Sequence, residues 1–256
     1  MAAGLYYLLS FLPPLPDIGD PPPITLEDVA RLVRDLPGRE IRTLFEVIEL
    51  ETTLQAMIRR RLGLETSGGN ASPASDLGGE GRLPPALAAF FSEEQAAVPE
   101  DAWLTHLWDA FYREIARLGA ATGCDLLTTW SHWERSLRWQ LAATRSKALA
   151  EAGPLPMEGA KAVPCQGPAE MPADLALEGG YDHSALIHEA CLAQDPLAAE
   201  RILDEGRARF LEQQAGRYSF RIEELIAYIL KLRLLLRHAR LNRTDGIHIL
   251  EEVTSI

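Results

Sequence analysis

SFRIEELIAYILKLRLLLRHARL, from Ser219 to Leu241, decides how the rest of the chain is read. Between Ile222 and Leu236 every uncharged position except Ala227 and Tyr228 is Leu or Ile, and Gly and Pro are absent, so a helix is favoured over a strand. Leu225, Ile226, Ile229, Leu232 and Leu236 fall on one face, and Tyr228, Leu234 and Leu235 cover much of the remainder. A helix this apolar must be wrapped by others. The expected fold class is all-α, a multi-helix bundle.

The flanking sequence supplies candidate partners. Leu26 to Leu36 follows an N-cap at Thr25, with Glu27 and Asp28 in its first turn. A longer helix is expected from Arg39 to Leu62, ending on Arg59, Arg60 and Arg61. Helices after Pro99 and after Asp125 read as an antiparallel hairpin, and Trp103, Trp108, Trp130 and Trp133 suggest an aromatic seam between them. Asp195-Pro196 is an N-cap followed by a first-turn proline, launching a helix through Gln214. Ser219 is expected to cap the quoted helix, and Thr244 or Asp245 a final one through Val253. Tyr6 to Phe11 reads as a short extended N-terminal arm before Pro13, Pro14 and Pro16. Residues 65–85 read as a loop. Gly and Pro in 153–172 suggest a linker between an N-terminal region, 1–152, and a C-terminal region, 173–256, which together also allow one continuous domain.

Composition removes several function classes. With a net charge of -12, the chain is not expected to bind nucleic acid, because neutralising phosphates needs a basic surface. Lys231 and Arg233 interrupt the most apolar run, so no membrane span is expected. Cys124, Cys165 and Cys191 lack paired spacing, and the start lacks a basic leader, so a cytoplasmic location is expected. No GxSxG, HExxH, Walker or GxGxxG pattern occurs. His188 and Cys191 are three apart, close to His183, but no further ligand cluster accompanies them, and neither a cofactor nor a metal is expected.

A helical phrase recurs. Glu51-x2-Leu54-x3-Ile58-x3-Leu62 is similar to Glu134-x2-Leu137-x3-Leu141-x3-Arg145, and Lys231-x2-Leu234-x2-Arg237-x2-Arg240 has the same basic tail. A diverged threefold repeat is one reading of this; generic amphipathic periodicity is the other. Arg60, Arg145, Arg237 and Arg240 are the candidate residues for an interface or for structural ion pairs.

YYLLSFLPPL at 6–15, WSHWERSLRWQLAATRSKAL at 130–149, DPLAAERILDEGRARFLE at 195–212 and FRIEELIAYILKLRLLLRHARLNRTDG at 220–246 resemble a family of uncharacterised proteins encoded in bacterial V-type ATPase operons. That family looks like counterparts of the C subunit of rotary ATPases, eukaryotic subunit d. The resemblance implies a non-enzymatic central-stalk connector contacting rotor-shaft and membrane-ring subunits. Such a protein is cytoplasmic and peripheral to the membrane through the complex, in service of ion or proton transport. The alternatives are a transient assembly or regulatory factor of the same complex, and a small-molecule or metal-dependent enzyme.

Overall fold

The structure is a computed structural model that describes residues 2–34, 36, 39–61, 83–92, 98, 100–152, 175, 181–193, 195–216 and 219–240. Residues 65–82 of the loop expected at 65–85, the 153–172 linker, the final helix and Cys165 lie outside the described residues, and the expected loop stops short at Pro85, which opens a helix. Regular structure among the described residues is helical throughout. The α-helices are α1 (Ala2–Phe11), α2 (Leu26–Arg34), α3 (Arg39–Arg61), α4 (Pro85–Ala88), α5 (Glu100–Thr122), α6 (Asp125–Ala152), α7 (Ser184–Cys191), α8 (Pro196–Ala215) and α9 (Ile222–Arg240).

The quoted stretch forms α9, and its apolar girth is covered on several sides. Leu225, Ile226, Ile229 and Leu232 are fully buried, and α1, α2, α3, α6 and α8 all pack against this helix. Its entry is locked by side chains. Glu224 accepts from the Phe220 amide at 2.7 Å and from the Ser219 hydroxyl at 3.1 Å, and Ser219 Oγ accepts from the Arg221 amide at 3.3 Å. Phe220 adopts φ 50°, unique among the described non-glycine residues, which turns the chain sharply from α8 into α9.

Two other starts follow the residues at their caps. Thr25 and Asp28 form a reciprocal capping box: Thr25 Oγ1 accepts from the Asp28 amide at 3.1 Å and Asp28 Oδ2 from the Thr25 amide at 3.2 Å. Asp195 Oδ1 accepts from the Ala198 amide at 2.8 Å, with Pro196 opening α8.

The N-terminal arm corrects the extended reading. Ala2–Phe11 is an α-helix, because Leu5, Leu8, Leu9 and Leu12 recur at helical spacing and bury a stripe that an extended chain would split between two faces. Pro13 and Pro14 stop it, and Tyr228 of α9 donates to the Pro13 carbonyl at 2.9 Å.

Helices α5 and α6 form the expected hairpin about Gly123 and Cys124. Gly119 sets their separation: a Cβ there would lie 2.9 Å from Thr128 Oγ1 and 3.0 Å from the Thr128 amide nitrogen. Their tryptophans do not form one seam. Trp103 packs against Phe91, Trp108 against Phe111 and Tyr112, and the stacked Trp130–Trp133 pair turns toward Phe210 of α8. The rings serve three contacts because the two helices, of 23 and 28 residues, each present different faces to different neighbours along their length. Core residues on both sides of the 153–172 segment, such as Leu137, Ile187, Leu203 and Leu235, belong to one hydrophobic cluster.

Candidate functional site

At mid-height of the bundle, α6, α8 and α9 are joined by charge rather than by apolar packing alone. Glu134 is 1% exposed and receives both arms of Arg207, at 2.9 and 3.0 Å, together with Arg138 Nε at 2.9 Å. Arg207 also donates to Asp204 Oδ1 at 3.0 Å. Arg237 of α9 donates to that same oxygen and reaches Glu200 at 3.1 and 3.2 Å. Arg145 approaches the other Glu200 oxygen at 3.9 Å. The chain of contacts thus runs from a buried centre to a solvated rim.

The sequence builds this junction through helical spacing. Asp204 and Arg207 are one turn apart and share the inward face of α8 with Leu203 and Leu211. Glu134 and Arg138 are one turn apart on α6. Burial drives the Glu134 carboxyl upward, but Arg207 and Arg138 outweigh it and hold the pKa below the ordinary glutamate value. For Arg207, burial opposes the charge, and Glu134 and Asp204 more than restore it. Tyr112, buried beside this cluster and accepting from Arg138 at 3.3 Å, is pushed well above its ordinary value, chiefly by burial.

A second ionic contact lies on α3. Arg233 of α9 pairs with Glu51 at 3.0 Å and donates to the Ile48 carbonyl. The three related phrases therefore occupy unlike surroundings: Glu51 meets Arg233, Glu134 is buried between arginines, and Lys231 pairs with Glu212 at the surface.

The candidate arginines divide into two groups. Arg145 and Arg237 converge on Glu200. Arg60 and Arg240 are exposed, and the described residues show no ion pair to either. Arg61 lies 3.9 Å over the Trp103 ring, at the end of the α5–α6 hairpin opposite Gly123, and α6 and α9 finish on that side through Arg145 and Arg237. Sequence reasoning did not single out Arg207, Asp204 or the buried role of Glu134; charges at core positions of a helical stripe, as in Leu203-Asp204 followed by Arg207, were the available signal.

His183, His188 and Cys191 do not come together as ligands. His183 is buried edge-on against Trp133 at 4.9 Å, whereas His188 and Cys191 are exposed on α7. Among the described residues no group of three or more His, Cys, Asp or Glu side chains is arranged to hold a metal, and no helix is long and apolar enough to cross a membrane. Comparison with family models, curated proteins and solved structures gives no match.

Proposed function

We propose that the chain is a non-catalytic subunit of a V-type ATPase, a C/d-like connector between the rotor shaft and the membrane ring. The observation that supports this is the meeting of the stretches on which the resemblance rests. The 6–15 segment anchors on α9 through Tyr228 and Pro13. The 130–149 segment supplies Glu134 and Arg145, the 195–212 segment Glu200, Asp204 and Arg207, and the closing segment Arg237. Four sequence stretches far apart in the chain thus form one body, cross-linked by ions at its centre. A connector needs that property, because torque passes through a part only as well as its helices resist sliding past one another.

Purification of the native ATPase under gentle conditions, followed by quantitation of each polypeptide, tests the proposal. A subunit is recovered in fixed ratio with the rotor and ring. Recovery of a coupled, intact complex without the chain defeats the subunit reading, and failure of the complex to assemble in a deletion strain would then assign the chain to assembly or regulation.

A further inference from the structure

His183 is a buried base whose surroundings suit one of its protonation states. The residue is 3% exposed, and its Nε2 is buried with no hydrogen-bond partner among the described residues. A neutral imidazole can leave Nε2 as an unused acceptor, whereas the imidazolium carries N–H on both nitrogens and has nothing to donate to at that one. The ring stands edge-on to Trp133 and tilted against Tyr181 at 6.1 Å, and both of those rings pack on Phe210 of α8. Charge around it is mixed. Helix α6 presents Glu134, α8 presents Arg207, and its own segment presents Asp182 beside the Tyr181 phenol. Burial, with Arg207 on the same side, outweighs the two carboxylates and keeps the ring neutral to below its ordinary 6.5.

The same ring sits at a latch. Gln140 of α6 donates to the Tyr181 carbonyl at 2.8 Å and accepts from the His183 amide at 3.3 Å, so one side chain grips the backbone on both sides of Asp182. Gln140 in turn donates to Ser136 Oγ at 3.1 Å. Helix α7 starts at the next residue and has eight residues, too few to be stable alone. Asp182 accepts from the Ser184 amide at 2.9 Å at its start, Ile187 and Ala190 are buried, and Leu186 lies over Gly206 of α8. The helix therefore holds its shape only while it is docked.

We infer that His183 is an acid-operated latch: its protonation releases the 181–193 segment, α7 included, from α6 and α8 while the rest of the bundle stays folded. Release gives both ring nitrogens water to donate to, and it uncovers Trp133 and Phe210. The docked segment binds the proton more weakly than the released one. Release therefore grows as pH falls below about 6.5, by up to about ten-fold per pH unit. The bundle outlasts the segment because Glu134, which joins α6 to α8 through Arg207, keeps its charge until the pH is below 4.5. The inference does not rest on the ATPase reading and survives if that reading fails.

Hydrogen exchange of the full chain between about pH 7.5 and 5, corrected for the intrinsic rate at each pH, reads the release directly. The amides of Ile187 and Leu192, bonded to the carbonyls of His183 and His188, should lose about ten-fold in protection over that range, with the amides of α6 and α9 unchanged. His183→Phe keeps a ring without a titrating nitrogen and should abolish the acid step. Gln140→Leu removes the grip but not the titrating group, so it should lower α7 protection about ten-fold at every pH and preserve the dependence on pH. His188→Gln, at an exposed histidine of α7 itself, should change neither. Flat protection of α7 down to pH 5 overturns the proposal, as does a loss shared equally by all helices. An acid step that survives His183→Phe or disappears in His188→Gln also overturns it. If Phe at position 183 prevents folding, Gln140→Leu decides: protection lost from α7 alone, with the acid step kept, supports the latch, and an unchanged α7 defeats it.

Discussion

Asp204 is fully buried, and one of its oxygens receives two guanidinium groups while the other, Oδ2, has no hydrogen-bond partner among the described residues. Removing its charge leaves Arg207 and Arg237 facing each other with less compensation. Asp204→Ala is therefore expected to cost about 3–5 kcal/mol, read by urea unfolding, because a buried ion loses its counter-charge. Arg145→Ala, at an exposed and long contact, should shift stability by less than about 1 kcal/mol in the same measurement. Two buried groups give the chain an acid dependence. Burial keeps His183 below its ordinary 6.5, so the unfolded chain binds a proton first and stability is lost as pH falls from about 6.5 through the depressed value. Glu134, held below its ordinary 4.5, adds a second loss as pH falls below that value. Melting temperatures followed from pH 8 to 3 should decline in these two steps, and His183→Phe should flatten the upper one while leaving the lower.

At the level of single helices, the junctions matter more than propensity. Gly119→Ala would drive a methyl group into the backbone of α6, so a loss of about 1–3 kcal/mol is expected despite the better helix former. Gly206→Ala meets the distal carbons of Leu186 at 2.6 and 2.8 Å, and a flexible side chain has room to turn. There the gain of about 1 kcal/mol in helix propensity should roughly cancel the displacement. A matched pair of thermal melts distinguishes a rigid obstacle from a movable one. Asp195→Ala should lower stability by about 1 kcal/mol through loss of the Ala198 amide bond. Caps of this kind were legible in the sequence because they depend on residues three positions apart. The helical state of Ala2–Phe11 was harder to read, since ten residues before a proline run carry little local preference and their burial against α9 decides the outcome.

Across the whole molecule, one hydrophobic cluster extends from Leu5 to Leu235, and ion pairs knit α6, α8 and α9 inside it. Truncation of α1 should therefore unsettle more than its own ten residues, because Leu5, Leu8 and the Tyr228–Pro13 bond all close over α9. A chain starting at Asp17 is expected to expose Tyr228, whose hydroxyl is otherwise pushed up to about 12 by burial, and to restore its titration toward 10 in ultraviolet difference spectra. The sequence by itself determined the all-α class, the α5–α6 hairpin and the caps at Thr25 and Asp195, because periodicity and capping act over one or two turns. It marked Arg145 and Arg237 as candidate interface or ion-pairing cations without naming their shared partner. Only the tertiary structure decided that Glu200 joins them, that Glu134 and Asp204 lie buried with Arg207, and that the tryptophans serve separate contacts. Those facts depend on which face of each helix meets its neighbour, and that choice is made by the simultaneous packing of segments as much as 215 residues apart.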